Sequence, residues 1–193
     1  CVFIAVSRAD RERWDRKYAN RNPNAAFAPE PLLVEYQRLL DGRGMALDVA
    51  CGVGHNAMFL ARHGYEVMAV DASLAGLRYA RAELAATGLT VHLVAADLDD
   101  FVFPRDRFAL AVVFRFLDRA LVPRIKQTVL PGGLVFYQTF NVNQLRFAPQ
   151  MHRDYLLEPG ELTRLFADFE TLATNDAPDN SAPLSYWIGQ RRR

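Results

Sequence analysis

Apolar and polar positions along this 193-residue chain fall into blocks of two alternating kinds. The stretch PEPLLVEYQRLL (29–40) opens with prolines, which the first turn of a helix tolerates. It sets Leu32, Leu33, Tyr36, Leu39 and Leu40 on one helical stripe, and Gly42 and Gly44 end it. From there short apolar runs alternate with helical patterns. MALDVA (45–50), YEVMAVD (65–71), TVHLVAAD (90–97), FALAVVFRF (108–116) and LVFYQTF (134–140) read as strands. Between them HNAMFLARH (55–63), SLAGLRYARAELAATG (73–88) and DRALVPRIKQTV (118–129) read as helices. Ser73 is a plausible N-cap and Gly88 a stop, while Pro123 requires a kink or a late helix start. PGG before residue 134 predicts a turn. EPGELTRLFADF (158–169) predicts a last helix, and ETLATND (170–176) and LSYWIGQ (184–190) two final strands around a Pro/Asp-rich loop. Residues 11–27 predict a short helix and an Asn/Pro-rich turn.

Strands separated by helices of this length imply βαβ units and a parallel sheet covered on both faces. The last two strands have no helix between them and are expected to pair antiparallel. The expectation is a doubly wound, mostly parallel α/β sheet of seven strands with an antiparallel last strand. In such sheets ligands bind at the C-terminal ends of the strands. The polar residues there are Asp48, Asp71, Asp97, Arg115, Gln138 and Asn141.

Composition narrows this picture. About half of the residues (51%) are apolar, enough for one compact domain with a substantial core. The net charge of +1 gives no bulk electrostatic reason to bind nucleic acid or membrane. Arginine outnumbers lysine 21 to 2, which reads as a compositional bias of the coding genome. No apolar run approaches the ~20 residues of a membrane span. CVFIAV at the start is shorter than a signal sequence, and no cleavage pattern follows it. The chain opens on Cys1 rather than Met, so its first residue is not taken as the natural N-terminus. Two cysteines, Cys1 and Cys51, form no disulfide framework and suit a reducing cytoplasm. The four histidines show no metal-ligand spacing, so no metal site is expected. Oligomeric state is not readable from the chain.

The chemistry concentrates in ALDVACGVGHN (46–56). Gly52, Gly54 and Ala57 align to GxGxxA, so a dinucleotide-binding reading has to be weighed. Asp48 discriminates. Beside a pyrophosphate, at ~4 Å and an effective dielectric of about 20, its charge would cost roughly 4 kcal/mol. Beside a cation it attracts instead. A ligand with an ammonium group, a carboxylate and a ribose suits the whole stretch. Asp48 would take the ammonium, directly or through water. Loop N–H groups would approach the carboxylate, and Asp71 would hold the ribose hydroxyls. S-adenosylmethionine is such a ligand.

LDVACGVGHNAMFLARHGYEVMAVDAS resembles the first two motifs of the class I S-adenosylmethionine-dependent methyltransferases. AADLDDFVF, FALAVVFRFLDR and VLPGGLVFYQTF are similar to the segments that follow in that superfamily, in the same order. Asn56 two residues after the second glycine resembles the small bacterial tellurite-resistance-type methyltransferases. The resemblance covers about residues 10–175 and implies a Rossmann-like methyltransferase fold in a single domain spanning 1–193. Within it, 1–28 is an N-terminal lid segment and 29–193 the α/β core. It also implies that Asp48, Ala50, Cys51 and Gly52, with Gly54 and Asn56, line the methionine end. Asp71 binds ribose, with Ala72 or Ser73 near the adenine, and Asp97 and Leu98 flank that ring. Arg115 lies beneath the sulfonium and faces the substrate. Trp14 and Tyr18 belong to the lid. Ala50 and His55 depart from the family pattern, which often has glycine and, in the closer relatives, arginine there. Alanine at 50 is tolerated if its φ is negative.

The implied reaction is in-line methyl transfer to a small acceptor, with S-adenosylhomocysteine as product. An anionic, thiol or chalcogen acceptor suits the site, since a soft nucleophile needs no general base. Neither an NPPY-type motif after strand four nor a PC nucleophile motif is present, which argues against nucleic-acid methylation. Cys51 reads as a small loop residue, not a nucleophile. Two alternatives stay open: a protein or RNA methyltransferase, and a non-catalytic S-adenosylmethionine-binding protein.

Overall fold

The computed structural model describes residues 8–20, 28–177 and 179–193, the first four of them as backbone only. Seven strands form one mixed sheet in the order β3-β2-β1-β4-β5-β7-β6, flanked by helices. The residues fall into two compact units, one ending at Val102 and one beginning at Phe103.

In the first unit β1 (Met45–Val49), β2 (Glu66–Asp71) and β3 (Val91–Ala95) pair in parallel. Ala46, Leu47, Asp48 and Val49 are all buried, the continuous run of a strand covered on both faces. Between the strands lie α3 (His55–Arg62) and α4 (Leu74–Thr87). Met58 of α3 meets Ala80 and Leu84 of α4, and Leu89, Val91 and Leu93 pack against that cluster. Ser73 caps α4 as expected, its Oγ accepting the Gly76 N–H at 3.1 Å, and Gly88 ends the helix at φ 68°. Ahead of β1 lie α1 (Arg8–Ala19) and α2 (Pro31–Glu35). The turn expected over 21–27 lies outside the described residues.

Two element boundaries in this unit differ from expectation. The helix predicted over 29–40 breaks at Tyr36 into α2 and a 3₁₀ turn over Gln37–Leu39. Only Leu32 and Leu33 of its stripe are buried, so no packing sustains the later turns. The strand predicted to 97 stops at Ala95. Asp97 instead accepts the Asp99 N–H on its own side chain at 3.1 Å, a local turn that competes with the ladder. The condition under which alanine is tolerated at position 50 is not met: its φ is +55°, in the left-handed region.

In the second unit β4 (Phe108–Phe114) pairs in parallel with β5 (Val129–Phe140), while β7 (Leu184–Gln190) runs antiparallel to both β5 and β6 (Glu170–Thr174). The antiparallel last strand is therefore present. Pro123 falls in the first turn of α5 (Val122–Thr128), the late start rather than a kink. PGG does not precede β5 but lies inside it. Pairing jumps from Phe108–Val129 to Leu110–Leu134, so the intervening residues bulge, with Gly132 at φ 82°. The bulge keeps its backbone satisfied: Gly132 N–H donates to Arg191 O and Arg191 N–H to Gly133 O, both at 2.8 Å. The predicted helix 158–169 contracts to α6 (Glu161–Leu165), because Gly160 at φ 71° delays its start. Phe166 leaves the helix to stack on Trp187, centroids 4.5 Å apart at 12°.

Candidate functional site

The turn between β1 and α3 is forced into an unusual shape by its chemistry. Ala50, Gly52 and Gly54 all adopt positive φ, at 55°, 56° and 80°. Glycine reaches that region without strain, but alanine there carries a cost of about 1 kcal/mol or more. The turn is pinned at two places. Cys51 N–H donates to Val70 O at 3.1 Å, and Gly52 N–H donates to Asp71 Oδ2 at 2.7 Å. The other Asp71 oxygen accepts the Ser73 N–H, also at 2.7 Å. One carboxylate thus joins the end of β2, the glycine turn and the start of α4. Asp71 is 8% exposed, and burial pushes its pKa up while the two N–H donors hold it down.

Asp48 has the opposite surroundings. It is 1% exposed, and its Oδ2 has no hydrogen-bond partner among the described residues. Burial pushes its pKa up to about 8, the Ala57 N–H lowers it, and the Asp71 charge raises it further. Burial also pushes the Cys51 thiol well up, with Asp48 and Asp71 adding to the effect. A thiol so placed is not activated, which agrees with its reading as a loop residue.

The remaining predicted residues fall as follows. Asn56 opens α3, and its Oδ1 accepts the Glu30 N–H at 2.9 Å, tying that helix to the segment before α2. Ser73 is fully buried between its partners. Ala96 N–H donates to Asp71 O at 3.1 Å, so the chain carrying Asp97 and Leu98 leaves β3 beside Asp71. Leu98 is buried and Asp97 half-buried. Trp14 and Tyr18 stack within α1 at 5.8 Å, and the Tyr18 side chain lies against the glycine turn: a Cβ added to Gly52 would sit 2.5 Å from Tyr18 Oη. In the second unit Arg115 ends β4 with φ 56°, its N–H donating to Gln138 O at 2.8 Å and its guanidinium 5.5 Å from the Phe140 ring centroid. Asn141 is buried and spends its side chain on Ala182 O, Ser185 Oγ and the Asn143 N–H.

Two residues here escaped the sequence reading. Gly76 lies one turn into α4, and a Cβ on it would be 2.8 Å from Gly52 O and 3.1 Å from Tyr18 Cδ2. An isolated glycine inside a helical pattern was the available signal of close backbone approach. Asp15 of α1 accepts from Ser73 Oγ at 2.6 Å and from the Ala75 N–H at 3.1 Å. Nothing in the sequence singles it out.

Residues 46–133 match the family described as "Methyltransferase domain". The chain is 32% identical over 143 residues to Hemagglutinin 1 of Eikenella corrodens, covering 68% of this chain and 45% of that protein. It is 28% identical over 172 residues to the ubiquinone biosynthesis O-methyltransferase of Thiobacillus denitrificans, covering 75% and 74%. It therefore spans less than half of the first relative and about three quarters of the second. Its fold is that of TehB from Haemophilus influenzae, with a TM-score of 0.73 at 14% identity over 93% of this chain and 67% of that one. The chain carries a methyltransferase domain over residues 46–133 and resembles the class I S-adenosylmethionine-dependent methyltransferases. Their cofactor is S-adenosylmethionine. Among the described residues no helix is long and apolar enough to cross a membrane, and no cluster of side chains could hold a metal.

Two stability predictions follow from the turn. Ala50→Gly removes a left-handed alanine and is expected to stabilise the protein by about 1 kcal/mol. For a chain of this size that raises Tm by ~2–4 °C, readable by calorimetry. Asp48 titrates higher folded than unfolded, so its protonated form favours the fold. That stability is fully present below the ordinary carboxylate range and is lost as pH rises through about 8. Asp48→Asn should abolish this loss. The mutant's Tm advantage over the ligand-free wild type should grow from pH 6 to pH 9, and a pH-independent difference would refute the assignment.

Proposed function

We propose that this chain catalyses methyl transfer from S-adenosylmethionine to a small-molecule acceptor, using the turn after β1 and the ends of β2 and β3 as its cofactor cradle. The observation that carries the reading is the orphaned, buried Asp48 Oδ2 immediately ahead of three left-handed residues. An ammonium supplies the missing partner and favours the charged carboxylate, whereas a phosphate offers it no such gain. Asp71 keeps lone pairs beyond its two backbone bonds, and these suit ribose hydroxyls. Asp97 is assigned the exocyclic amine of the adenine, with Leu98 at the ring and Ala72 beside Ser73. Cys51 and the backbone of the turn are assigned the methionine end. Trp14 and Tyr18 are assigned to a cover over the cofactor.

When bound, S-adenosylmethionine supplies an activated methyl group for in-line displacement. The chain's own work is then to bind, align and exclude water. Arg115 is assigned the orientation of an anionic acceptor. Its left-handed backbone is a local strain of a kind that collects at functional sites. The Thiobacillus relative is an O-methyltransferase, which adds an oxygen acceptor to the thiol and chalcogen classes.

Calorimetry decides the cofactor. S-adenosylhomocysteine should bind saturably and NAD should not. With burial pushing Asp48 up to about 8, binding of the ammonium at pH 7 should release close to one proton, seen by repeating the titration in buffers of different ionisation enthalpy. Asp48→Asn should release none. Saturable NAD binding without S-adenosylhomocysteine binding would reverse the assignment. A screen with labelled cofactor against thiols, selenite, tellurite and phenols identifies the acceptor.

Arg115→Lys keeps the charge and loses the planar fork, so acceptor KM should rise with little change in cofactor affinity. Arg115→Ala should also lower kcat, by up to about a hundredfold. Normal acceptor kinetics in a stable Arg115→Ala protein would remove this residue from the site.

A further inference from the structure

We infer that Asp15 is a positioning residue for the cofactor cradle, acting through Ser73 on Asp71 and the glycine turn; this rests on the function proposed above. Ser73 is fully buried and sits between two carboxylates. Its hydroxyl donates to Asp15 Oδ1 at 2.6 Å, and its N–H donates to Asp71 Oδ1 at 2.7 Å. The second Asp71 oxygen accepts the Gly52 N–H at 2.7 Å. An unbroken relay therefore runs from α1 through the first turn of α4 to the left-handed turn after β1. The Asp15 oxygen also accepts the Ala75 N–H, one of the first-turn donors of α4 that has no partner inside its own helix. The same Ser73 Oγ accepts the Gly76 N–H, so donating to Asp15 fixes the direction in which that hydroxyl points.

Packing follows the same route. Tyr18, one turn beyond Asp15 on α1, lies against both Gly52 and Gly76, and Gly76 lies against the Gly52 carbonyl. A Cβ at Gly76 would collide with the Gly52 carbonyl, so α4 and the turn approach as closely as backbone allows, and α1 reaches both glycines through the Tyr18 ring. Shifting α1 therefore moves Ser73, and through it the carboxylate assigned to the ribose. The short Ser73–Asp15 bond is charge-assisted, the stronger class of hydrogen bond. Burial is the larger cause that pushes the pKa of Asp71 up, and the Asp15 charge adds to it.

Two substitutions separate position from charge. Asp15→Asn keeps an acceptor oxygen for Ser73 and Ala75 and removes the charge beside Asp71. It should bind S-adenosylhomocysteine as tightly as the wild type or slightly tighter. Asp15→Ala should weaken that binding about ten- to a hundredfold, while the protein stays folded with Tm lowered by only a few degrees. In a Ser73→Ala background Asp15→Ala should add little, because the relay is already cut. Undiminished affinity in Asp15→Ala, or an equal loss in Asp15→Asn and Asp15→Ala, overturns the assignment. So does a full Asp15→Ala effect in the Ser73→Ala background. A wild-type protein that binds no S-adenosylhomocysteine overturns the proposed function instead. Amide exchange on the ligand-free protein then decides the relay alone: Asp15→Ala should speed exchange at Gly52 and Ala75, and unchanged rates there refute it.

Discussion

The Asp71 carboxylate accepts two backbone N–H groups, those of Gly52 and Ser73, and the first unit is organised around that double bond. The turn after β1 has to reverse direction within a few residues to launch α3, and it does so through three left-handed residues. Such a path points backbone donors inward, where an unmet N–H costs about 1–3 kcal/mol. Asp71 answers one of them from the neighbouring strand end and answers the approach to α4 with its other oxygen. Burying the carboxylate is itself unfavourable, as the upward push on its pKa shows. The two short bonds offset that cost. Neither the carboxylate nor the turn is stable in this form without the other.

Close approach is the second consequence. Once Gly52 is held against Asp71, its carbonyl faces the first turn of α4, where only Gly76 leaves room. Tyr18 then fills the space above both glycines. The glycines at 52 and 76 therefore answer different needs. The first supplies a backbone conformation and the second supplies the absence of a side chain.

What could be read from the sequence followed from what each residue's neighbours in the chain could determine. The strand–helix alternation, the Ser73 cap, the Gly88 stop and the antiparallel final strand are local or pairwise signals, and each appears in the structure. The glycine turn and its two acidic residues were legible because spacing alone brings them to strand ends. The Ala50 backbone was not, since alanine carries no mark of a left-handed conformation and the expectation ran toward negative φ. The PGG bulge inside β5 was missed for a similar reason. Proline and glycine signal a turn, but pairing on either side with Phe108 and with Leu110 makes it an interruption of one strand. Helix 158–169 shrank because Phe166 is drawn out of it by Trp187, a partner 21 positions away in the chain. Asp15 lies 58 residues from Ser73, on a polar helix with many charges, and only tertiary contact distinguishes it from them.

Asp48 and Asp71 show how one turn gives the same side chain two chemistries. They share a neighbourhood, and the Asp71 charge raises the Asp48 cost of ionisation. Asp71 is supplied with donors by the backbone that the turn itself creates. Asp48 sits one strand over, where the parallel ladder uses the backbone donors of its neighbours, and one of its oxygens is left unmet. The first carboxylate is thereby fixed as an acceptor whatever the protein binds. The second keeps an unmet oxygen, and burial pushes it toward its neutral form, so its charge depends on what partner reaches it. A turn that satisfies one acid and starves the other sets two neighbouring carboxylates apart through backbone hydrogen bonding alone.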